Sequence, residues 1–274
     1  STPRHLLIHN ALGIEPPEYV HVPLILGKDR SKLSKRHGAT SALEYRGQGY
    51  LADAIFNFLA LLGWSPGDDT EVMDRDEIVR RFSIDRINDS PAIFDTGKLE
   101  WMNGVYIRNM SVDALVGELL PFMERPESDG GLPDSVTRPI DRDYLKQLIP
   151  LVHERLKLLT EGTETLGFFF ADNVNPAAED LPGKKMDADM TERALDAALE
   201  LCRGVAPFEP EHLETEYRAL AENIEMKPGQ LFSPIRVAIT GKSFAPPLFD
   251  TMSAIGRERC VERIANALIT LRST

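Results

Sequence analysis

The sequence predicts a mainly α protein. Two observations carry this. Apolar residues recur at three- and four-residue spacing through most of the chain after residue 50, and very little after residue 30 reads as strand. At 274 residues the chain has room for about two domains, and with 42% hydrophobic and 27% charged residues it can bury a core without disulfide or metal staples.

The elements follow in order. An apolar segment, Leu6-Leu7-Ile8, precedes Pro16-Pro17 and a strand-like run from His21 to Leu26 that ends at Gly27. A basic loop, Lys28 to Gly38, leads to Ser41 and Glu44, in the S-x-x-E arrangement that caps a helix. Ala54, Ile55, Phe58, Leu61 and Leu62 mark a helix closed by Gly63. Asp74 and Glu77 start another, with Ile78, Val79 and Phe82 on its apolar side. Residues 91–104 read as a loop with a turn at Asn103-Gly104, and Val112, Leu115, Val116, Leu119 and Leu120 as a short helix. Residues 126–139, rich in Pro and Gly, read as a linker. Beyond it Leu145, Leu148, Ile149, Val152, Leu156 and Leu159 form one helical face. Further faces come from Ala194, Leu195, Ala198 and Leu199, from Leu213, Tyr217, Leu220 and Ile224, and from Val261, Ile264, Ala265 and Leu268.

Charge is unevenly spread. The net charge of −12 argues against a generic nucleic-acid binder. Yet residues 28–46 carry +4, residues 111–226 carry −14 and residues 227–274 carry +4, so two basic islands flank an acidic middle. The two cysteines, Cys202 and Cys260, have no partner at metal-ligand spacing, which predicts no metal site and a reducing, cytoplasmic compartment. No apolar run approaches the roughly 18 residues of a membrane span, and no signal-peptide pattern is present. No long heptad run predicts a coiled-coil dimer, so a monomer is expected.

The basic loop is the segment with chemistry. Lys28, Arg30, Lys32, Lys35 and Arg36, with Ser31 and Ser34, lie between a strand and a helix start, where ammonium groups and backbone N–H donors can meet a polyphosphate. A solvated basic loop is the plainer reading of such a run. Trp64, Trp101 and Phe168-Phe169-Phe170 could stack on bases, but such spacing usually marks core. Arg155 and Lys157, on the polar side of the expected 145–159 helix, and Arg236 and Lys242, in the C-terminal basic island, are candidate RNA contacts. His153 and His212 have no visible partner.

Lys32-Leu33-Ser34-Lys35-Arg36 resembles the second signature of class I aminoacyl-tRNA synthetases, K-M-S-K-S, in the K-L-S-K-R form of the glutamyl type. Thr2-Pro3-Arg4-His5, Pro23-Leu24-Ile25-Leu26-Gly27, Asn57-Phe58-Leu59-Ala60-Leu61-Leu62-Gly63-Trp64-Ser65, Phe94-Asp95-x-x-Lys98-Leu99-x-Trp101-Met102-Asn103 and Pro234-x-Arg236-Val237-Ala238-Ile239-Thr240-Gly241 resemble further segments of the same family in the same order. The first signature, H-I-G-H, has no counterpart: His5 and His9 flank Leu-Leu-Ile. The resemblance therefore implies the C-terminal part of a bacterial-type glutamyl-tRNA synthetase, inactive alone. It implies residues 1–40 as the end of a Rossmann-like catalytic domain, 41–110 as a helical stem-contact domain and 111–274 as a helical anticodon-binding region.

By position, the resemblance gives Lys35 and Lys32 the catalytic role, and gives Lys32, Leu33, Ser34, Lys35 and Arg36 the binding of ATP, with Mg2+. It implies glutamate and tRNA(Glu) as the other partners. Whether tRNA(Gln) is also accepted stays open. Two alternatives stand beside this reading: a non-catalytic helical tRNA-binding module, and a glutaminyl-type synthetase, whose family carries β-barrel anticodon domains where residues 140–274 here read as helices.

Overall fold

The computed structural model describes residues 1–34, 36 and 41–273. It is mainly α, as expected, with thirteen α-helices and two short strands among the described residues. None of these helices is long and apolar enough to cross a membrane. The chain divides into two compact units, one of residues 1–41 and 52–99, the other of residues 42–51 and 100–274.

In the first unit, helix α1 (Thr2–Leu12) ends on Gly13, whose φ of 65° suits a residue without Cβ. None of its residues is buried, and Leu7, Ile8 and Leu12 are each more than half exposed. Of the expected His21–Leu26 strand only β1 (Ile25–Leu26) forms. It pairs in parallel with an equally short β2 (Ala92–Ile93), so the ladder ends where its partner does. Helix α3 (Ala52–Gly63) turns its apolar side inward. Asp74 caps α4 (Arg75–Arg81) by accepting the Glu77 N–H at 2.7 Å, as its spacing from Glu77 predicts. Trp64, Met73 and Ile78 pack together, and buried Asn57 on α3 accepts the Met73 N–H, fixing the approach to α4.

The second unit opens with α2 (Ala42–Gly47), which starts directly after Ser41. Gly49 follows with φ 93°; a Cβ there would lie 2.7 Å from Thr160 N, so only glycine admits the 159–160 backbone this close. The boundary between the units falls inside α5 (Thr96–Asn109), where a loop and an Asn-Gly turn were expected. The turn dipeptide is helical because the Asn103 amide is used elsewhere. Fully buried, Asn103 accepts the Leu51 N–H at 2.8 Å and donates to Lys157 O at 2.5 Å, contacts at 50-residue separation that no local pattern reveals.

Ser111 caps α6 (Val112–Met123). Residues 126–139, expected as a linker, pack into the unit instead: Leu132 and Val136 are buried, and the Arg138 guanidinium donates to the carbonyls of Arg125, Leu132, Pro133 and Val136. Helix α7 (Arg142–Val152) is shorter than the expected 145–159 face. Leu156 and Leu159 are buried as foreseen, but from a turn in which the Glu161 carboxylate accepts the N–H groups of Lys157 and Leu158. The remaining helices are α8 (Glu161–Phe170), α9 (Ala188–Gly204), α10 (Pro210–Asn223), α11 (Pro228–Thr240), α12 (Leu248–Ile255) and α13 (Arg257–Arg272). Helix α13 packs on α9 and α11 around one continuous core. Cys202 and Cys260 are free, buried thiols, both pushed up in pKa by burial.

Candidate functional site

Two arrangements are candidates for functional chemistry, one in each unit. The basic loop of the first unit is a tight hairpin. Leu26 bridges Lys32 antiparallel to it, Gly27 N–H donates to Ser31 O at 2.8 Å, and Leu33 N–H to Ile25 O at 3.0 Å. Arg30 takes φ 61° at the turn, a conformation uncommon outside glycine. Asp29 organises the tip: its carboxylate accepts the Ser31 N–H at 3.0 Å and the Ser31 hydroxyl at 2.8 Å, and the Arg36 guanidinium reaches it at 3.5 Å while donating to Ser31 Oγ at 2.6 Å. Lys28 pairs with Asp95 at 3.1 Å, and that hydrogen bond is the main cause holding Asp95 below the usual carboxylate range. Lys32 is exposed, and Leu33 and Ser34 are half-buried; Lys35 lies outside the described residues.

In the second unit, α8, the end of α11 and the segment after it line two adjoining hollows that share Arg155 and Phe244. Lys242 borders one and Arg236 the other. Arg155 projects from the turn after α7 and donates to Ala245 O at 3.5 Å. The Arg236 Nε is buried without a hydrogen-bond partner among the described residues. Burial first, and the nearby Arg155 second, disfavours the charge of its guanidinium, so two like charges face one hollow. Lys242 Nζ donates to Glu164 O at 2.8 Å, tying the segment to α8. Between these cations Phe244 stands 82% exposed, an aromatic surface with no packing reason to be there.

Thus three of the four expected RNA-contact residues, Arg155, Arg236 and Lys242, share one region, although Arg155 comes from a turn and not from a helix face. Exposed Lys157 is not among the residues lining it; its backbone is held by Glu161 and Asn103. Trp64, Phe168 and Phe169 are core, whereas Trp101 is 44% exposed. The His153 ring nitrogen lies 2.8 Å from Ile107 O, a structural contact. Phe244 is the functional candidate that sequence reading missed; its one signal is a large apolar residue in a Gly-Lys-Ser-Phe-Ala-Pro-Pro loop. Among the described residues no group of three or more His, Cys, Asp or Glu side chains could hold a metal.

Comparison with known proteins fits this division. Residues 1–101 match the family described as the catalytic domain of tRNA synthetases class I (E and Q), and residues 114–268 match the anticodon binding domain family. The chain therefore belongs to the anticodon binding domain family, and its first 101 residues are similar to the class I tRNA synthetase catalytic domain. The chain is 44% identical over 271 residues to a glutamate–tRNA ligase of Dehalococcoides mccartyi strain 195, covering 99% of this chain and 55% of that protein. It is 46% identical over 272 residues to the one of Roseiflexus castenholzii, covering 99% and 53%. A crystal structure of a glutamate tRNA ligase from Elizabethkingia meningosepticum in complex with its amino acid superposes with a TM-score of 0.78 at 26% identity, over 98% of this chain and 54% of that one. The chain is thus similar to glutamate–tRNA ligases along nearly its whole length. It spans about half the length of the relatives it matches.

Proposed function

We propose that this chain is the part of a glutamate–tRNA ligase that closes on ATP phosphates and reads tRNA. Attack of the glutamate carboxylate on the ATP α-phosphate moves charge onto the departing pyrophosphate, and cations aimed there stabilise the transition state more than the ground state. Lys35 and Lys32 take that role, with Leu33, Ser34 and Arg36 completing the ATP-binding segment. Mg2+ would enter as part of the nucleotide substrate and would supply further neutralisation of the phosphate charge. The Asp29-centred hairpin supports this reading, because it presents Lys32 and Arg36 from a defined turn.

The second-unit hollows serve tRNA(Glu). Arg155, Arg236 and Lys242 meet phosphates or base edges, Phe244 offers a stacking face, and Lys157 contacts the backbone nearby. On this reading residues 1–40 close the catalytic domain, 41–110 contact the acceptor stem and 111–274 bind the anticodon; the protein works in the cytoplasm as a monomer. The absence of strands among the described residues of 140–274 favours the glutamyl over the glutaminyl type. The observation that carries the reading is the Arg155–Arg236 juxtaposition beside an exposed aromatic, with no carboxylate hydrogen-bonded or ion-paired to either guanidinium among the described residues.

The apolar exposed face of α1 and of Ile14, Val20, Val22 and Leu24 is the surface on which the remainder of the catalytic domain packs, so residues 1–274 alone are inactive. ATP–pyrophosphate exchange tests this. The expected result is no exchange from this chain by itself and restoration when the remaining half of a relative is supplied; exchange by the chain alone contradicts it.

A further inference from the structure

Arg263 on α13 is 1% exposed and forms no ion pair among the described residues. A buried guanidinium without a carboxylate is strongly disfavoured unless other groups replace its hydration. Here the replacement is three backbone carbonyls at the ends of two helices. Nη1 donates to Ile239 O on α11 at 2.6 Å, and Nη2 donates to Phe168 O on α8 at 2.9 Å and to Ala171 O just beyond it.

Helix C-termini leave carbonyls without intrahelical partners and carry partial negative charge. At the end of α8 the Ala171 N–H satisfies Gly167 O, Arg263 takes Phe168 O, and the neighbouring Arg259 takes Phe169 O at 2.9 Å. At the end of α11, Gly241 closes on Val237 O with φ 71°, and Ile239 O is left for Arg263. The planar fork of an arginine can serve both helix ends at once, whereas an ammonium cannot reproduce its geometry.

Both helices line the RNA-contact region, α8 through Glu161, Glu164, Thr165 and Phe168 and α11 through Arg236. Arg236 lies one turn before the end of α11, and its carbonyl accepts the Thr240 hydroxyl at 2.7 Å. Thr240 Oγ1 also accepts the Lys242 N–H at 3.1 Å, and Lys242 Nζ returns to Glu164 O on α8. The α8–α11 gap is therefore bridged twice, by buried Arg263 and by half-buried Lys242.

We propose that Arg263 is a positioning residue that clamps the C-terminal ends of α8 and α11 and so sets the spacing of the tRNA-contact surface lined by Arg155, Arg236, Lys242 and Phe244. The functional half of this inference rests on the tRNA reading above; the clamp itself does not.

The test compares Arg263→Lys and Arg263→Gln with Arg259→Lys in the 274-residue chain. Arg259 touches α8 and Tyr144 but not α11. Hydrogen exchange by mass spectrometry and tRNA(Glu) affinity are read together. With helical content retained, both Arg263 variants should speed exchange at least tenfold in residues 168–173 and 238–244 alike and weaken tRNA binding about tenfold, whereas Arg259→Lys should affect only the first segment. Unchanged exchange at 238–244 overturns the clamp, and tRNA binding no weaker than in Arg259→Lys overturns its link to the tRNA-contact surface. Should the Arg263 variants fail to fold, native-state exchange of the unmodified chain in rising urea decides: the two segments lose protection in one step if clamped, and two separate steps overturn the proposal. Arg236→Ala isolates the underlying reading. If it leaves tRNA affinity unchanged while exchange follows the clamp pattern, the tRNA assignment fails and the clamp stands.

Discussion

The hairpin at residues 25–36 and the hollows around Arg236 both present cations, but they hold them in opposite ways. In the hairpin the charges are exposed and answered locally, Lys28 by Asp95 and Arg36 by Asp29 and Ser31. Around Arg236, Lys242 pairs with Glu164 at 3.6 Å but the guanidiniums of Arg155 and Arg236 have no such answer among the described residues, and the order comes from groups behind them, buried Asn103 and Arg263 and half-buried Glu161. Exposed pairs contribute little to stability, while buried polar groups are expensive to orphan. Function at the hairpin should therefore be separable from stability, and function at the hollows should not.

The largest expected effect tests the hairpin side. In a full-length enzyme carrying this chain, Lys35→Ala should slow adenylate formation about a hundredfold, the scale of losing one electrostatic donor in a transition state. Its tRNA affinity and unfolding midpoint should not move; a rate within a few-fold of the parent removes Lys35 from the mechanism.

Next comes the support of the second unit. Asn103→Ala orphans the Leu51 N–H and the Lys157 carbonyl. It should lower stability by about 2–3 kcal/mol in urea unfolding and weaken tRNA binding through the turn that carries Arg155. A neutral result would erase the contrast between the regions.

Asp29→Ala is the matching substitution in the hairpin. Stability should change by less than about 0.5 kcal/mol, because its partners are solvent-exposed. The Michaelis constant for ATP should nonetheless rise several-fold as Ser31 and Arg36 lose their anchor.

The smallest effect is acid dependence at Asp95, whose folded pKa is depressed chiefly by the Lys28 hydrogen bond. A depressed carboxylate contributes stability that is fully present above its ordinary pKa, about 3.9, and is lost as pH falls through the folded value. Asp95→Asn should flatten that part of the acid-unfolding curve, and Lys28→Met should do the same.

The two regions also differ in how readable they were. The hairpin is contiguous, so its cations, hydroxyls and flanking elements lie side by side in the chain; only the tight turn centred on Asp29 has no sequence signal of its own. The second-unit surface joins residues 155, 236 and 242, and what holds it is hidden by burial. Arg263 sits in a basic helix where a surface role is the natural reading, and Asn103-Gly104 has the chemistry of a turn until its amide is found bonding across 52 and 54 residues. The 145–159 periodicity identified the buried leucines correctly but not the break after Val152, because Leu156 and Leu159 point inward from a turn as well as they would from a helix. Local pattern thus conveys composition of the core and the contiguous motif, and misses whatever tertiary hydrogen bonding redirects.

The most direct measurement is the affinity of this chain for tRNA(Glu) against salt, with and without Arg236→Ala. The parent chain should bind with a salt slope reporting several phosphate contacts, and Arg236→Ala should lose about tenfold in affinity with its helical content intact. Equal affinities of the two proteins at every salt concentration would contradict it.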